Sequence, residues 1–325
     1  MKKALFITIL LCQSISYSQF APPAGQVGTT AIHKDSSSIV NWASTVEEFN
    51  VGLMNIANSA GANADFGIPE NALGHAEGTS VDIISLGDKG NITLGFEHPI
   101  KNGSGNDFAV FENSFDEFFL ELAHVEVSTD GIRFVRLPSI SETHPATQTS
   151  SFGNTDATDI YNLAGKYKQG YGTPFDLADI IDSTGINLDS INFVRIIDVV
   201  GSINPNFATF DSQGNIVNDP YPTAFSSGGF DLDAIGVIHE NKVLGTSENS
   251  NFSYNIYPNP SKGMINIASN HDCELQVVTL NGQLIKQTRL LKNEKLQFND
   301  LQNGLYLVYF KNEQNIFIKK VIVNQ

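Results

Sequence analysis

Cysteine is almost missing from this sequence. Of the two present, Cys12 falls in the first apolar stretch and Cys273 stands alone far downstream. Once that stretch is removed no intramolecular disulfide is possible, so stability rests on core burial, with or without the help of a metal ion. Basic residues are also few, 19 Lys and Arg against 35 Asp and Glu, a net charge of −16. A surface that acidic repels polyanions and anionic lipid, which excludes nucleic acid as a partner. Long apolar runs are missing too: past the N-terminus none approaches the ~20 residues that span a bilayer. Helix-period patterning is scarce. No zinc-helix histidine pair, no Gly-x-Ser-x-Gly elbow and no phosphate-cradling glycine loop occurs, so the chain is read as a non-enzyme.

What is present begins with Met1-Lys2-Lys3, an apolar run from Ala4 to about Cys12, and the polar stretch ending Ser16-Tyr17-Ser18. A short basic start, an apolar run and small residues at alternate positions make a secretory signal peptide over 1–18, cut between Ser18 and Gln19. Leu11 before Cys12 argues against a lipoprotein. Charge then divides the remainder. Residues 19–245 hold 29 acidic against nine basic side chains, and 246–325 hold six against eight. An acidic domain over 19–239, a polar linker over 240–251 and a near-neutral domain over 252–325 are expected.

Short alternating runs between Gly, Asn, Asp and Pro predict strands over 90–96, 107–111, 123–127, 132–137, 191–197 and 230–238. Asp130-Gly131 supplies a hairpin turn between two of these runs. Within 123–127, Ala123, Val125 and Val127 face the core, and His124 faces out with Glu126. One amphipathic helix is expected over 36–50, with Ile39, Val40, Trp42 and Val46 on its apolar face, and a helical turn or two over 176–182. Many short strands and little helix point to an all-β fold of two β-sandwiches. Two long polar stretches, 138–173 and 201–229, are either binding loops or plain surface.

From Phe252 onward the chain carries Tyr257-Pro258-Asn259-Pro260, Asn281-Gly282, Gly304-Leu305-Tyr306 and the ending Lys319-Lys320-Val321. These landmarks, in this order, resemble the C-terminal sorting domain of the type IX secretion system. The resemblance implies a small Ig-like sandwich, the type IX machinery as partner, and passage through the outer membrane to the cell surface or the medium. The physics agrees: Pro258 and Pro260 cannot sit in a central strand, and Asn281-Gly282 is a strong hairpin signal.

Upstream, Asn71-Ala-Leu-Gly74, Gly90-Asn-Ile-Thr-Leu-Gly-Phe96, Asn102-Gly-Ser-Gly-Asn-Asp-Phe-Ala-Val-Phe-Glu-Asn113, Val125-Glu-Val-Ser-Thr-Asp-Gly131 and Gly228-Gly-Phe-Asp-Leu-Asp-Ala234 resemble secreted cell-surface proteins with a galactose-binding-like jelly roll. In Phe230-Asp-Leu-Asp-Ala234, alternation sets Asp231 and Asp233 on one face, where like charges favour a bridging cation. Glycine-permitted turns before Asp107 and the acid Glu112 beyond it add oxygen ligands. Asp107, Glu112, Asp231 and Asp233 are therefore the candidate ligands of one structural Ca²⁺. Tyr161, Tyr167, Tyr171 and Tyr221 are candidate stacking residues for a glycan. The leading functional expectation is a secreted binding protein for a glycan or other extracellular ligand. Three alternatives stand beside it: an accessory protein of outer-membrane uptake of a corrinoid-like nutrient, a structural or adhesion protein, and a glycan hydrolase. Truncation after Asn251 is expected to hold the protein inside the outer membrane, read as loss of the chain from the surface and medium fractions.

Overall fold

The computed structural model describes residues 20–242, 254–312 and 316–324. The expected signal peptide with its Ser18–Gln19 cut, and the expected linker from 243 on, lie outside them. The chain divides into two compact units, Met1–Asn241 and Lys242–Gln325. Among the described residues the only helical elements are three short 3-10 turns, and no helix is long and apolar enough to cross a membrane. Both units are all-β.

The strands of the first unit are β1 (Ile32–His33), β2 (Asn41–Trp42), β3 (Thr45–Asn50), β4 (Ile84–Ser85), β5 (Asn91–Ile100), β6 (Phe108–Glu112), β7 (Ala123–Ser128), β8 (Val135–Arg136), β9 (Ile140–Ser141), β10 (Ile160–Tyr161), β11 (Tyr171–Phe175), β12 (Ile191–Asp198) and β13 (Asp231–Val237). One sheet runs β1-β11-β6-β13-β2, with β4 also paired to β13, and the other runs β3-β5-β12-β7-β8. Pairing within both sheets is antiparallel.

The sheets pack face to face. Phe108, Val110, Leu232 and Ile235 of the first meet Ile92, Leu94, Val125, Val127, Val194 and Ile196 of the second in a single buried core. β6 is buried along its whole length because both of its faces are covered. Phe108 and Val110 point to that core, and Ala109 and Phe111 point the other way, under Ile32, Ile39 and Trp42. A strand covered on both faces reads as a continuous apolar run, which is how Phe-Ala-Val-Phe appears in the sequence.

That covering segment overturns the expected helix over 36–50. Ile39 and Trp42 pack on the outer face of one sheet, whereas Val46 and Phe49 pack on the main core from β3. One helix face cannot serve both, and Thr45–Asn50 instead pairs with β5 through a bulge at Glu47. The strand expected over 132–137 shortens to Val135–Arg136. The Asp130 carboxylate accepts the amides of Ile132 and Arg133, both at 2.9 Å, and this wider turn leaves Ile132 exposed. His124 departs from expectation as well: it is buried, beneath the loops that cross β7. The turn over 176–182 forms as a 3-10 turn, Leu177–Ile180, capped by Asp176.

The two long polar stretches are neither open loops nor plain surface. Leu120, Leu122, Ala157, Ile160, Leu163, Val199 and Val217 make a separate core beneath them. Gln148 and Asn218 stitch them together: the Gln148 amide donates to Gly201 O at 2.8 Å, and the Asn218 amide donates to His144 O at 2.6 Å and Thr147 O at 2.8 Å.

The second unit has β14 (Tyr254–Tyr257), β15 (Ile265–Ser269), β16 (Cys273–Thr279), β17 (Leu284–Leu290), β18 (Lys295–Phe298), β19 (Gly304–Lys311) and β20 (Ile316–Val323). They form a three-stranded sheet, β14-β15-β18, and a four-stranded sheet, β17-β16-β19-β20, around a core of Ile265, Ile267, Leu275, Val277, Val308, Phe310 and Phe317 among others. Leu94 lies at the centre of the first unit's core with no exposed surface. Leu94→Ala is expected to destabilise that unit by ~2–5 kcal/mol, read in urea from the fluorescence of Trp42, the only tryptophan.

Candidate functional site

At one end of the first unit the strand ends of both sheets carry acids. Asp198 ends β12 opposite Ala123, the first residue of β7, and Glu121 lies two residues before that strand. Asp88 sits in the turn before β5, where the Asp198 amide donates to Gly90 O at 2.9 Å. Asp231 opens β13, and Glu112 ends β6 opposite Leu232. Asp219 comes from the second long loop, and its carboxylate accepts the Leu122 amide at 2.9 Å. All six are buried. Asp88, Glu121, Asp198 and Asp219 line a crevice too narrow to admit a water molecule, together with Gly201, Thr223 and Gly229. Gly201 is required there, since a Cβ on it would stand 1.8 Å from Asp219 Oδ1.

The electrostatics of this cluster are nearly one-sided, the Lys89 charge near Asp88 being the exception. No Lys, Arg or His among the described residues forms an ion pair with any of the six. What they receive instead is mostly backbone amides. Asp198 accepts Phe230 N at 2.8 Å and Lys89 N at 2.9 Å, and Asp88 accepts Ile56 N at 2.7 Å. Asp231 accepts the Ser85 hydroxyl and, at 3.0 Å, the Asn113 amide. Burial is the main cause that pushes each carboxyl up: Asp88 to about 6, Asp231 to about 7, and Asp198 to about 8 with the Asp88 charge adding to it. Asp219 and Glu112 lie well above the usual range for the same reason, with Asp198 and Asp231 as their respective neighbours. For Glu121, burial and the surrounding acids Asp231, Glu112, Asp219 and Asp198 all push upward together. Oε1 of Glu112 is buried without any hydrogen-bond partner.

The four residues read from the sequence as calcium ligands do not assemble. Glu112 and Asp231 do come together, each in the cluster just described. Asp107 is at the opposite end of β13, past a seven-residue strand roughly 20 Å long. There it accepts Gly103 N at 2.7 Å, Leu177 N at 2.8 Å and His239 Nδ1 at 2.9 Å, so its oxygens are used in closing that end. Asp233 is not beside Asp231 on a regular face, because the register of β13 slips between Leu232 and Ala234. Its carboxylate anchors a separate turn through Glu77 N at 3.0 Å and Gly78 N at 2.9 Å. Among the described residues no three His, Cys, Asp or Glu side chains form a ready-made metal cage. Asp88, Glu121, Asp198 and Asp219 went unread in the sequence. Each is a lone acid in its own segment, and only the fold makes them neighbours.

The tyrosines do not form a surface either. Tyr167 is buried and bonded to the Thr30 hydroxyl at 2.8 Å. Tyr161 stacks on Phe20, Tyr171 meets His33 edge-on, and the Tyr221 hydroxyl bonds Asn55 at 3.3 Å. Phenylalanines take the place expected of them. Phe115, Phe119, Phe152 and Phe225 form a continuous strip, with ring centroids 5.6, 6.1 and 5.5 Å apart in that order. Phe115 is 61%, Phe152 71% and Phe225 44% exposed, and Phe118 beside them is 51% exposed. The loop that bears three of these rings is tightly held: Asp116 accepts the amides of Phe118 at 2.8 Å and Phe119 at 2.9 Å. At its root, Ser114 N donates to Glu112 Oε2 at 2.8 Å. Phe225 is likewise tied to the cluster, through Thr223, whose hydroxyl accepts Gly229 N at 3.2 Å. The readable signal is Phe-Asp-Glu-Phe-Phe over 115–119: dense aromatics in a polar loop with no strand alternation.

On the other side of Asp198, a cleft of about 420 Å³ is lined by Lys89, His124, Arg136 and Phe210 among others. Burial lowers the His124 imidazole to about 4, and the neighbouring Arg136 charge adds to the effect.

In the second unit the landmark residues have structural work. The Asn259 side chain donates to Lys320 O at 2.8 Å and accepts Ile322 N at 2.9 Å, so it fastens the turn Tyr257-Pro258-Asn259-Pro260 onto β20. Gly282 takes the left-handed conformation, φ 82°, in the β16–β17 turn. Gly304 opens β19, and Lys319 and Lys320 point to solvent from β20.

Residues 255–324 match the family described as the secretion system C-terminal sorting domain. The chain is thus exported to the cell surface or the extracellular space. No curated protein matches the chain. Among solved structures it is similar to the β-glucuronidase of Ruminococcus gnavus, at 10% identity and TM-score 0.20, over 72% of this chain and 36% of the enzyme. The same enzyme in complex with uronic isofagomine gives 11%, 0.20, 73% and 35%, and its apo form gives 11%, 0.20, 73% and 36%. The chain therefore spans little more than a third of that enzyme, and a likeness at this score carries no argument about function.

A buried histidine held neutral has a definite pH signature. The unfolded chain takes up the proton near pH 6.5 and the folded chain only near 4. The stability it contributes is therefore complete above 6.5 and drains away as pH falls toward 4. Wild type is expected to lose up to about 3 kcal/mol more than His124→Gln over that interval, measured by urea unfolding at pH 7, 5 and 4.

Proposed function

We propose that the first unit is an extracellular binding module that the sorting domain delivers to the outside of the cell, and that it grips its ligand on the strip Phe115, Phe119, Phe152 and Phe225. The contiguous, exposed phenylalanines carry this reading. Isolated apolar residues on a surface need no explanation, but a connected aromatic strip leaves hydrophobic area open to water that a partner would cover. It is also pre-organised, because the loops beneath it are fixed by side-chain bonds to their own backbone, and a rigid platform loses little entropy on binding.

A glycan is the ligand class to try first. The apolar face of a sugar ring stacks on an aromatic side chain, and ring centroids 5.5–6.1 Å apart support a ligand longer than one ring. Binding rather than hydrolysis is the reading favoured for the acids. Those clustered beside the strip lie in a crevice too tight for a sugar, so they are poorly placed as an acid–base pair across a glycosidic bond. A corrinoid belongs in the same screen as a competing ligand class.

The double substitution Phe152→Ser, Phe225→Ser is expected to weaken retention on a glycan array at least tenfold and to leave the Trp42 melting curve nearly in place, since Phe152 is largely and Phe225 partly exposed and neither belongs to a buried core. Binding that survives the double substitution, or an array with no hits on the wild type, would count against this reading.

A further inference from the structure

We infer that the first unit has a second binding site, separate from the phenylalanine strip, in the pocket between β11 and the chain over 160–166, and that it takes a neutral sugar of monosaccharide size.

The pocket has a volume of about 350 Å³, within the roughly 300–1,000 Å³ of small-molecule sites. Segments apart in sequence supply its lining. β11 contributes Thr173, the first long loop contributes Tyr161, Asn162 and Lys166, and the chain after β11 contributes Asp176 and Asp179. Asn106, just ahead of β6, lines it as well, which sets the pocket toward the end that Asp107 closes. The strip begins at Phe115, past the opposite end of β6, and the two sites share no residue.

Two buried groups in this pocket lack the partners that buried polar groups ordinarily have. The Thr173 hydroxyl, on a residue 3% exposed, makes no hydrogen bond. Lys166 is 4% exposed, yet no carboxylate among the described residues forms an ion pair with it. Of the three donors on its ammonium, one reaches Ile160 O at 2.7 Å, and the Tyr167 ring stands 5.6 Å away. Burial lowers this group only to about 8, so it keeps its charge at neutral pH. A lysine is almost never fully buried unpaired, and a buried hydroxyl left unsatisfied costs its desolvation. An oxygen of a bound ligand would satisfy either group.

The rest of the lining selects the ligand. Asp176 and Asp179 set acceptors in the same pocket as the Lys166 donors. An anion would meet two carboxylates there, and a cation would meet a buried ammonium. A hydroxyl suits both, since it accepts from an ammonium and donates to a carboxylate. Both acids are held in place: Asp179 accepts the Asn162 amide at 2.5 Å and the Tyr161 hydroxyl at 3.1 Å, and Asp176 accepts Ala178 N at 2.8 Å. An ionised carboxylate has about four acceptor positions, so these bonds fix the acids and leave positions for a ligand. Tyr161 and Phe20, stacked with ring centroids 5.5 Å apart, add an aromatic wall for the C–H face of a sugar ring. None of this depends on the role of the strip.

The test uses the whole chain and ligand-observed saturation-transfer NMR, with D-glucose, D-galactose, D-mannose and D-glucuronate as probes. At least one neutral hexose is expected to take up saturation from wild type, and to bind more tightly than glucuronate. Thr173→Val keeps the side-chain shape and removes only the hydroxyl. Because that hydroxyl has no partner in the free protein, the variant is expected to melt no lower than wild type by Trp42 fluorescence, while its affinity for the hexose falls about fivefold. Lys166→Met is expected to lower that affinity more than tenfold; should it fail to fold, Thr173→Val carries the test. Phe152→Ser, Phe225→Ser is expected to bind the hexose as wild type does. The site is overturned by the absence of binding to any neutral hexose, or by tighter binding of glucuronate than of every neutral one. Unchanged hexose affinity in Thr173→Val, a clearly lower melting point of that variant, or loss of binding in the strip variant would overturn it too. A strip that retains no glycan on an array leaves all these outcomes as they are, so the pocket and the strip can fail independently.

Discussion

The carboxylate of Asp198 holds the amide of Phe230 at 2.8 Å and that of Lys89 at 2.9 Å, and through these bonds the two sheets of the first unit meet at one end. Asp198 closes β12 in one sheet, Phe230 leads into β13 in the other, and Lys89 sits in the turn that starts β5. A sandwich is stabilised mainly by its apolar centre, but its ends must still satisfy the backbone groups that the strands leave unpaired. Here an acid at full burial does so. The solution is expensive in charge, and the same end gathers five further carboxylates. The opposite end uses the same device. Asp107 takes two amides as well, and it meets His239 at 2.9 Å.

Surface and interior are linked by this arrangement. The loops that close the acidic end also carry the exposed phenylalanines. Glu112 shows the connection most directly. One oxygen anchors Ser114 at the root of the aromatic loop, and the other lies unpaired among acids. The third small core, around Leu120, Ile160 and Val217, keeps the long loops from moving as free segments. Sites held on loops gain precision in this way only when something beneath the loops holds them.

The second unit solves a simpler problem. Its sorting landmarks are structural before they are recognisable: Asn259 pairs with the backbone of β20 on both sides of Val321, and so continues a sheet where proline forbids an ordinary strand. Lys319 and Lys320 are left facing solvent, free for contact with other molecules.

Export, the division at about residue 240, the all-β class and the sorting domain were determined by the sequence alone, because each depends on local order: sorting landmarks in a fixed succession, a change of charge balance along the chain, alternation of period two, turn pairs such as Asn281-Gly282 at fixed offsets. Most strand positions were legible for that reason. The helix expected over 36–50 was not, since the apolar residues of that segment serve two different sheets and no local pattern says so. His124 was misread because alternation tells which face a residue takes and not whether loops return to cover that face. The acidic centre belonged to tertiary structure altogether. Asp88, Glu121, Asp198 and Asp219 come from four segments with no common spacing, and a bulge at Asp233 undid the one pair that spacing did suggest. Charge is summed over neighbours in space, and the chain order holds no record of which neighbours those will be.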